Sequence, residues 1–369
     1  MIPVNTPLLE GNENKYLHEC INTGWISSEG PFVGRFENEF AEKVNRKFGI
    51  SVTNGTTALE LAVKAIGIHA GDEVILPSFT IISCADAIVR AGATPVLVDC
   101  YMDTWNMDVS KIESVITEKT KAILAVHIYG LPAEMDLILA IAKKYDLKVI
   151  EDAAQMHGQT YKGKPCGSFG DVSTFSFYAN KIITTGEGGM LLTNNEEIAK
   201  KARYYKNLCF NNETRFVHQN SGWNMRMTNL QAAVGVAQLE QLDKLVEKKR
   251  WIGNLYHELL GDIREFQLPI DQREYAENIY WVFGIVLNDC SYSVQEICTH
   301  LSKNKIGTRP FFWPMHEQPV YLKQGLFNDT SLPNSEFLAR NGFYLPSGLG
   351  ITETEIRTVA HCLKDFIND

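Results

Sequence analysis

The stretch "FSFYANKIITTGEGGM", Phe175 to Met190, sets one lysine, Lys181, between an apolar run and a glycine cluster. A lysine there is either a solvated side chain at a strand end or a nucleophilic amine. In a partly dry pocket the ammonium form is disfavoured, the pKa falls, and the free amine can attack a carbonyl. The "TTGEGG" that follows gives the backbone room for close approach of a ligand. Other groups could work with that amine. In "VTNGTTALE", Gly55 lets the chain turn, and Thr56 and Thr57 open a helix whose free N–H groups and positive dipole end suit a phosphate. Taken alone, an ordinary N-cap explains the same residues. In "VIEDAAQMHG", Glu151 and Asp152 end an apolar strand, where Asp152 either caps the next segment or faces a cationic ligand atom. In "PSFT", Phe79 either packs or stacks on a flat heterocycle. Ser176 adds a hydroxyl in the strand just before Lys181.

The elements that must position these groups are short apolar runs alternating with helical patterns from about residue 50 to 195. The runs are "GISVTNG", "DEVILP", "ATPVLVD", "TKAILAVHIYG", "LKVIEDAA", "DVSTFSFY" and "GGMLLTN". Near-continuous Val, Ile and Leu predicts strands covered on both faces, and the alternation predicts an α/β fold with a mostly parallel, seven-stranded sheet. No helix separates "FSFY" from "GGMLLT", so one of that pair can run antiparallel. In open α/β sheets ligands bind beyond the carboxyl ends of the strands, which is where the residues above fall. From about residue 231 the pattern changes to a long helical stretch, "LQAAVGVAQLEQLDKLVEKKRWIGNLYHELL". Isolated strands such as "WVFGIVL" and two more helices follow it. The expected division is a large domain over residues 1–245 and a smaller α+β domain over residues 246–369.

Bulk composition narrows the function. The chain has 369 residues, enough for two domains, and a formal charge of −9 from 44 acidic and 35 basic residues. That balance speaks against a nucleic-acid partner but leaves room for a small anionic substrate in a locally positive pocket. No apolar run approaches the ~20 residues that cross a bilayer, so no membrane association is expected. The eight cysteines, Cys20, Cys84, Cys100, Cys166, Cys209, Cys290, Cys298 and Cys362, include no CxxC pair, which predicts buried free thiols rather than a metal centre. The N-terminal "MIPVNTPLLEGNENKY" has no basic region followed by an apolar core, and a cytoplasmic location is expected.

A phosphate-ready helix start, a strand-end aspartate, an aromatic, a hydroxyl and a lysine thus recur in chain order on one sheet edge. Together they are the equipment for pyridoxal 5′-phosphate (PLP), which needs a lysine for its aldehyde, a carboxylate against its ring nitrogen and donors for its phosphate. Almost the whole chain also resembles the DegT/DnrJ/EryC1/StrS aminotransferases, which act mainly on nucleotide-linked keto sugars. The resemblance is carried by "WISSEGPFVGRFENEFA", "VTNGTTAL", "GDEVILPSFT", "ATPVLVD", "VHIYGLPAEMD", "VIEDAAQMHG", "GSFGDVSTFSF", "NKIITTGEGGM", "GWNMRMTNLQAA" and "RPFFWPMH". Within the family the chain is similar to enzymes of the perosamine-synthase type, through "STFSFYANKIITTGEGGM" and "RPFFWPMH".

The resemblance implies the aspartate-aminotransferase type of fold and a set of roles. Lys181 matches the lysine that bonds the cofactor's aldehyde, and Asp152 the carboxylate paired with the ring nitrogen. Gln155 matches the residue near the phenolic oxygen, Ser176 with Gly55 and Thr56 the phosphate cradle, and Phe79 the aromatic over the ring. Asn224 matches an asparagine that reaches the phosphate of a neighbouring subunit's cofactor, which implies a homodimer with shared active sites. Trp25 and Ser27 fall in a segment the family places near substrate, and Arg309 and His316 are candidate partners for the diphosphate or sugar. His316 as a packed loop histidine and Arg309 as a surface ion-pair residue explain those two equally. The activity implied is transfer of an amino group from L-glutamate to C4 of a nucleotide-linked 4-keto-6-deoxy sugar. Amination at C3, a PLP-dependent sugar dehydratase and a catalytically silent regulator are the rivals. Lysine rather than histidine at position 181 favours amino transfer over dehydration.

Overall fold

The computed structural model describes residues 1–211, 214–288 and 292–368; Cys290 lies outside them. Its central sheet has seven strands in the order Phe48–Val52, Gly189–Thr193, Val172–Ser176, Lys148–Asp152, Thr120–Val126, Glu73–Pro77, Thr94–Val98. Only Gly189–Thr193 runs against the rest, antiparallel to both its neighbours. The segment joining it to Val172–Ser176 holds no helix, whereas a parallel return is usually made through one. The apolar runs read as doubly covered strands are so: every residue of Val172–Ser176 is buried, and in Thr120–Val126 only Lys121 is exposed.

Helix Gly55–Ala65 follows its strand after only two residues. Its N-cap is Asn54, whose Oδ1 accepts the Thr57 N–H at 2.9 Å while Thr57 Oγ1 accepts the Asn54 N–H at 3.2 Å. This reciprocal pair closes the first turn. It leaves the N–H groups of Gly55 and Thr56 pointing out of the helix start.

The long helical stretch expected after residue 230 is two helices, Asn229–Leu239 and Leu242–Leu260. The break falls where Glu240 turns its carboxylate to Tyr16 and Asn12, at 2.6 and 2.7 Å, tying the joint to the N-terminal helix Glu13–Thr23. Beyond it, four strands, Phe266–Gln267, Phe283–Leu287, Gly342–Leu345 and Arg309–Pro310, form a separate antiparallel sheet. Ile252, Tyr256, Phe283, Ile285, Leu301, Phe343 and Leu363 form a second apolar cluster around it. The N-terminal segment joins this unit: Ile2 bridges to Ile306, and Val4 O accepts the Ser347 N–H at 3.1 Å. Tyr129 and Phe79, at the strand ends, stack against Phe311 with centroids 4.9 and 5.8 Å away, joining the two halves. Among the described residues no helix is long and apolar enough to cross a membrane.

Candidate active site

The parallel strands all end on one edge, so the residues at or just past their last positions meet there. Asp152 and Ser176 are terminal residues of their strands, and Asn54 and Gly55 lie two and three residues past Phe48–Val52. A cavity of about 480 Å³ opens at this edge, lined by Gly55, Thr56, Asp152, Gln155, Ser176 and Lys181 among others. The structure therefore brings together the lysine, the carboxylate and the helix start that the sequence singles out.

Lys181 sits in a turn closed by its own N–H to Tyr178 O, at 2.9 Å. Its amine lies 3.7 Å from the centroid of the Trp281 ring. The indole is held in turn by its Nε1–H on Asn180 O at 2.9 Å. Burial of the amine brings its pKa from 10.5 down to about 7, against the opposing pull of the Asp152 carboxylate. At neutral pH a large share of Lys181 is therefore uncharged and nucleophilic.

Asp152 is buried, and burial raises its carboxyl pKa. The Ala154 N–H, the Cys84 thiol and the Lys181 charge oppose that rise. Oδ1 accepts the Ala154 N–H at 3.0 Å and lies 3.5 Å from the Thr174 hydroxyl; Oδ2 receives the Cys84 thiol at 3.3 Å. The neighbouring Glu151 has a different task. Its carboxylate accepts from the His127 Nε2–H at 3.0 Å and from the backbone N–H groups of Gly167 and Phe169, fixing the loop behind the site.

The cradle beside them depends on missing side chains. A Cβ on Gly55 would meet the Ser176 Cβ at 2.8 Å, and one on Gly189 would meet Asn54 O at 2.3 Å. The helix start can approach the sheet only because both are glycine. Thr56 Oγ1 and Ser83 Oγ lie 2.8 Å apart on the cavity wall. Gln155 lines the cavity, and its side-chain carbonyl accepts the Tyr129 N–H, which fixes the amide.

Not every expected residue reaches this cavity. Phe79 is fully buried, with its ring against Tyr129, Phe311 and Phe312, and does not line the cavity. Two residues on, Ile81 lines it instead, and the aromatic wall comes from Trp281, Phe312 and Tyr344. His316 is buried between Ser78 Oγ, 2.8 Å from Nδ1, and Glu336 Oε1, 3.1 Å from Nε2, so both ring nitrogens are engaged within the fold. Arg309 is exposed and lines an adjoining cavity of about 320 Å³ that shares Tyr178, Asn180, Trp281 and Tyr344 with the lysine cavity. Ser27 lines a separate cavity of about 520 Å³ with Arg203, Lys206, Asn207, Arg215 and Arg226. Trp25 and Asn224 are exposed; the Asn224 backbone pairs with Asn207.

Cys84, Ser83, Ile81, Trp281 and Tyr344 are the site residues that sequence reasoning missed. Cys84 is read there only as a buried thiol. Trp281 and Tyr344 come from the far half of the chain, where no local pattern points to the site. Phe312 lies in the quoted "RPFFWPMH".

The residues present fit PLP. The amine is near neutral, the buried carboxylate has one oxygen held by nothing stronger than a thiol, and the helix start is kept open by the absence of a Cβ. The fold and site define a PLP-dependent enzyme of the aspartate-aminotransferase type. The chain belongs to the DegT/DnrJ/EryC1/StrS aminotransferase family, whose model matches residues 7–364. It is 41% identical over 368 residues to a GDP-perosamine synthase of Escherichia coli O157:H7, covering 100% of this chain and 99% of that one. It is likewise 41% identical over 374 residues to a GDP-perosamine synthase of Vibrio cholerae, covering 100% of both. Among solved structures, S. venezuelae DesV superposes with a TM-score of 0.89 at 30% identity over 97% of this chain and 95% of that one. Spr1654 of Streptococcus pneumoniae in its PLP form gives 0.92 at 26% identity over 99% and 98%. The protein is a PLP-dependent aminotransferase.

Proposed function

We propose that the protein moves an amino group from L-glutamate to C4 of a nucleotide-linked 4-keto-6-deoxy sugar, GDP-linked first among the candidates, to give a 4-amino-4,6-dideoxy sugar nucleotide. The observation that carries this reading is the end-to-end similarity, 41% identity across the whole chain, to proteins named GDP-perosamine synthase. An intact Lys181 and Asp152 lining one cavity support it.

PLP, when bound, supplies an aldehyde that takes up an amine and a ring that draws off electrons. Lys181 would hold that aldehyde at rest and, freed when the donor's amine takes its place, its amine would carry the proton from the donor's α-carbon to the carbon that bore the aldehyde. Its depressed pKa suits both roles. Asp152 is the carboxylate that would face the ring nitrogen and keep it protonated. The N–H groups of Gly55 and Thr56 and the hydroxyls of Thr56, Ser83 and Ser176 bind the phosphate at the positive end of the helix. Gln155 donates to the phenolic oxygen. Trp281, 3.7 Å from the amine, makes an apolar wall of the cavity with Phe312 and Tyr344. Both substrates use one site in turn, which gives ping-pong kinetics.

Residues up to about 245, apart from the N-terminal segment that joins the second unit, act as the large, cofactor-binding domain, and residues 246–369 as the small one. The active enzyme is a homodimer. Asn224 lies outside its own chain's lysine cavity, as expected of a group that completes a second copy's site; Trp25 and Ser27, expected near substrate, also lie outside that cavity. Arg309, at the mouth, serves the nucleotide sugar's diphosphate.

Incubation of GDP-, UDP- and dTDP-linked 4-keto-6-deoxy sugars with glutamate, read by mass spectrometry and NMR, tests the reading. The expected result is a glutamate-dependent amino product substituted at C4. A product formed without glutamate, or substituted at C3, contradicts it.

A further inference from the structure

The donor to Asp152 Oδ2 is unusual for a buried carboxylate. Oδ1 has a backbone N–H and a nearby hydroxyl, but Oδ2 is held by the Cys84 thiol, at 3.3 Å. Cys84 is fully buried and fixed in place: it opens the helix Ile82–Arg90, its N–H donates to Ile81 O at 3.1 Å, and its sulfur lies 3.4 Å from Thr80 Oγ1. A thiol is a weak donor. It can fix the rotation of the carboxyl group without neutralising the oxygen it touches, as a backbone N–H or a hydroxyl would do more fully.

We propose that Cys84 is a positioning residue for the aminotransferase reaction: its thiol turns Asp152 Oδ2 toward the cofactor's ring nitrogen while leaving that oxygen's charge for the ring N–H. The proposal rests on the assignment of Asp152 to the ring nitrogen. For the role to hold, the sulfur must stay protonated, because a thiolate would repel the carboxylate. Burial, the adjacent Asp152 charge adding to it, raises the Cys84 pKa well above its usual value, so the sulfur remains a donor. Lys181, the other charged group facing the thiol, pulls the opposite way and is overcome. No other cysteine among the described residues has a hydrogen bond to a residue placed in the cofactor site by the strand-end geometry, so the effect is specific to position 84.

The test compares Cys84→Ala and Cys84→Ser in the full-length protein, with Cys84→Val in place of alanine if the smaller side chain unfolds it. Two quantities are read: the Kd for PLP of the cofactor-stripped enzyme, and the ¹⁵N resonance of PLP labelled at the ring nitrogen, which reports whether that nitrogen is protonated. The donor-free variant should bind PLP about three- to tenfold more weakly, as loss of one hydrogen bond from a weak donor predicts, and its resonance should move toward the unprotonated value. Cys84→Ser should return both toward wild type. Unchanged values in the donor-free variant, a serine variant as impaired as alanine, or weakened binding with an unmoved resonance would each overturn the proposal. Asp152→Asn run alongside separates the two levels. If that variant leaves the resonance where it is, the assignment of Asp152 itself fails.

Discussion

Gly55 lies so close to Ser176 that a Cβ on the glycine would stand 2.8 Å from the serine Cβ. The partners on both sides are fixed, one at a helix start and one at a strand end, so neither can swing away as the tip of a flexible side chain could. Gly55→Ala should push the helix start off the sheet and spread the phosphate cradle. Overpacking of this kind costs about 1–3 kcal/mol, and the Kd for PLP should rise about 5- to 160-fold if that cost falls on the bound state. Fluorescence titration of the cofactor-stripped variant checks it. Wild-type affinity would show that the cradle lies elsewhere.

Asp152→Asn keeps the shape of the side chain and removes its charge. The ring nitrogen then loses the group that keeps it protonated, and removal of the α-proton slows. Turnover should fall by about 10²- to 10³-fold, the size of loss seen when one preorganised electrostatic group is removed, with a smaller change in KM for glutamate. Steady-state kinetics with both substrates decide it, and near-normal turnover would take Asp152 out of the mechanism.

Much of this site is legible along the chain because its parts are local. Lys181, Ser176, Asp152 and Gly55 each sit at a strand end or helix start, and a strand end in a parallel sheet is a place in space as well as in sequence. Phe79 shows where that reasoning stops. It too follows a strand, but its ring turns into the cluster of Tyr129, Phe311 and Phe312, and Ile81 takes the cavity wall. Which way a side chain turns past the last paired residue depends on what packs beneath it, and here that packing comes from the far half of the chain. Trp281 and Tyr344 were out of reach for the same reason. The break at Glu240 was hidden because the helical pattern runs through it unbroken; the tertiary bonds to Tyr16 and Asn12 make the joint.

Lys249 offers a test of burial without catalysis. Its amine is buried with no carboxylate beside it, donates to Ser347 O, and is brought by burial to a pKa of about 7. The folded value lies below the unfolded one, so between about pH 7 and 10.5 the unfolded chain binds more protons and stability climbs with pH. Below that window both states are charged and the penalty is constant. Lys249→Met should remove this slope. Denaturant unfolding followed from about pH 6.5 to about pH 9.5 should show the variant's advantage shrinking as pH rises. A difference independent of pH would contradict the assignment.

Subunit mixing tests the shared site. Lys181→Ala removes the amine and Asn224→Asp sets a carboxylate where a partner's phosphate is expected. Each homodimer should be nearly inactive. A random mixture of the two chains should recover about a quarter of wild-type activity, because half the dimers are hybrids and each hybrid holds one intact site. No recovery in demonstrated hybrids would place Asn224 in its own chain's site or in none.

The most direct measurement is borohydride reduction of the PLP-loaded protein followed by peptide mapping. The cofactor's mass should appear on the peptide carrying Lys181 and nowhere else, and Lys181→Ala should lose both the label and the visible absorbance. Label on Lys249 or any other lysine, or no label at all, would contradict the assignment on which the rest of the site depends.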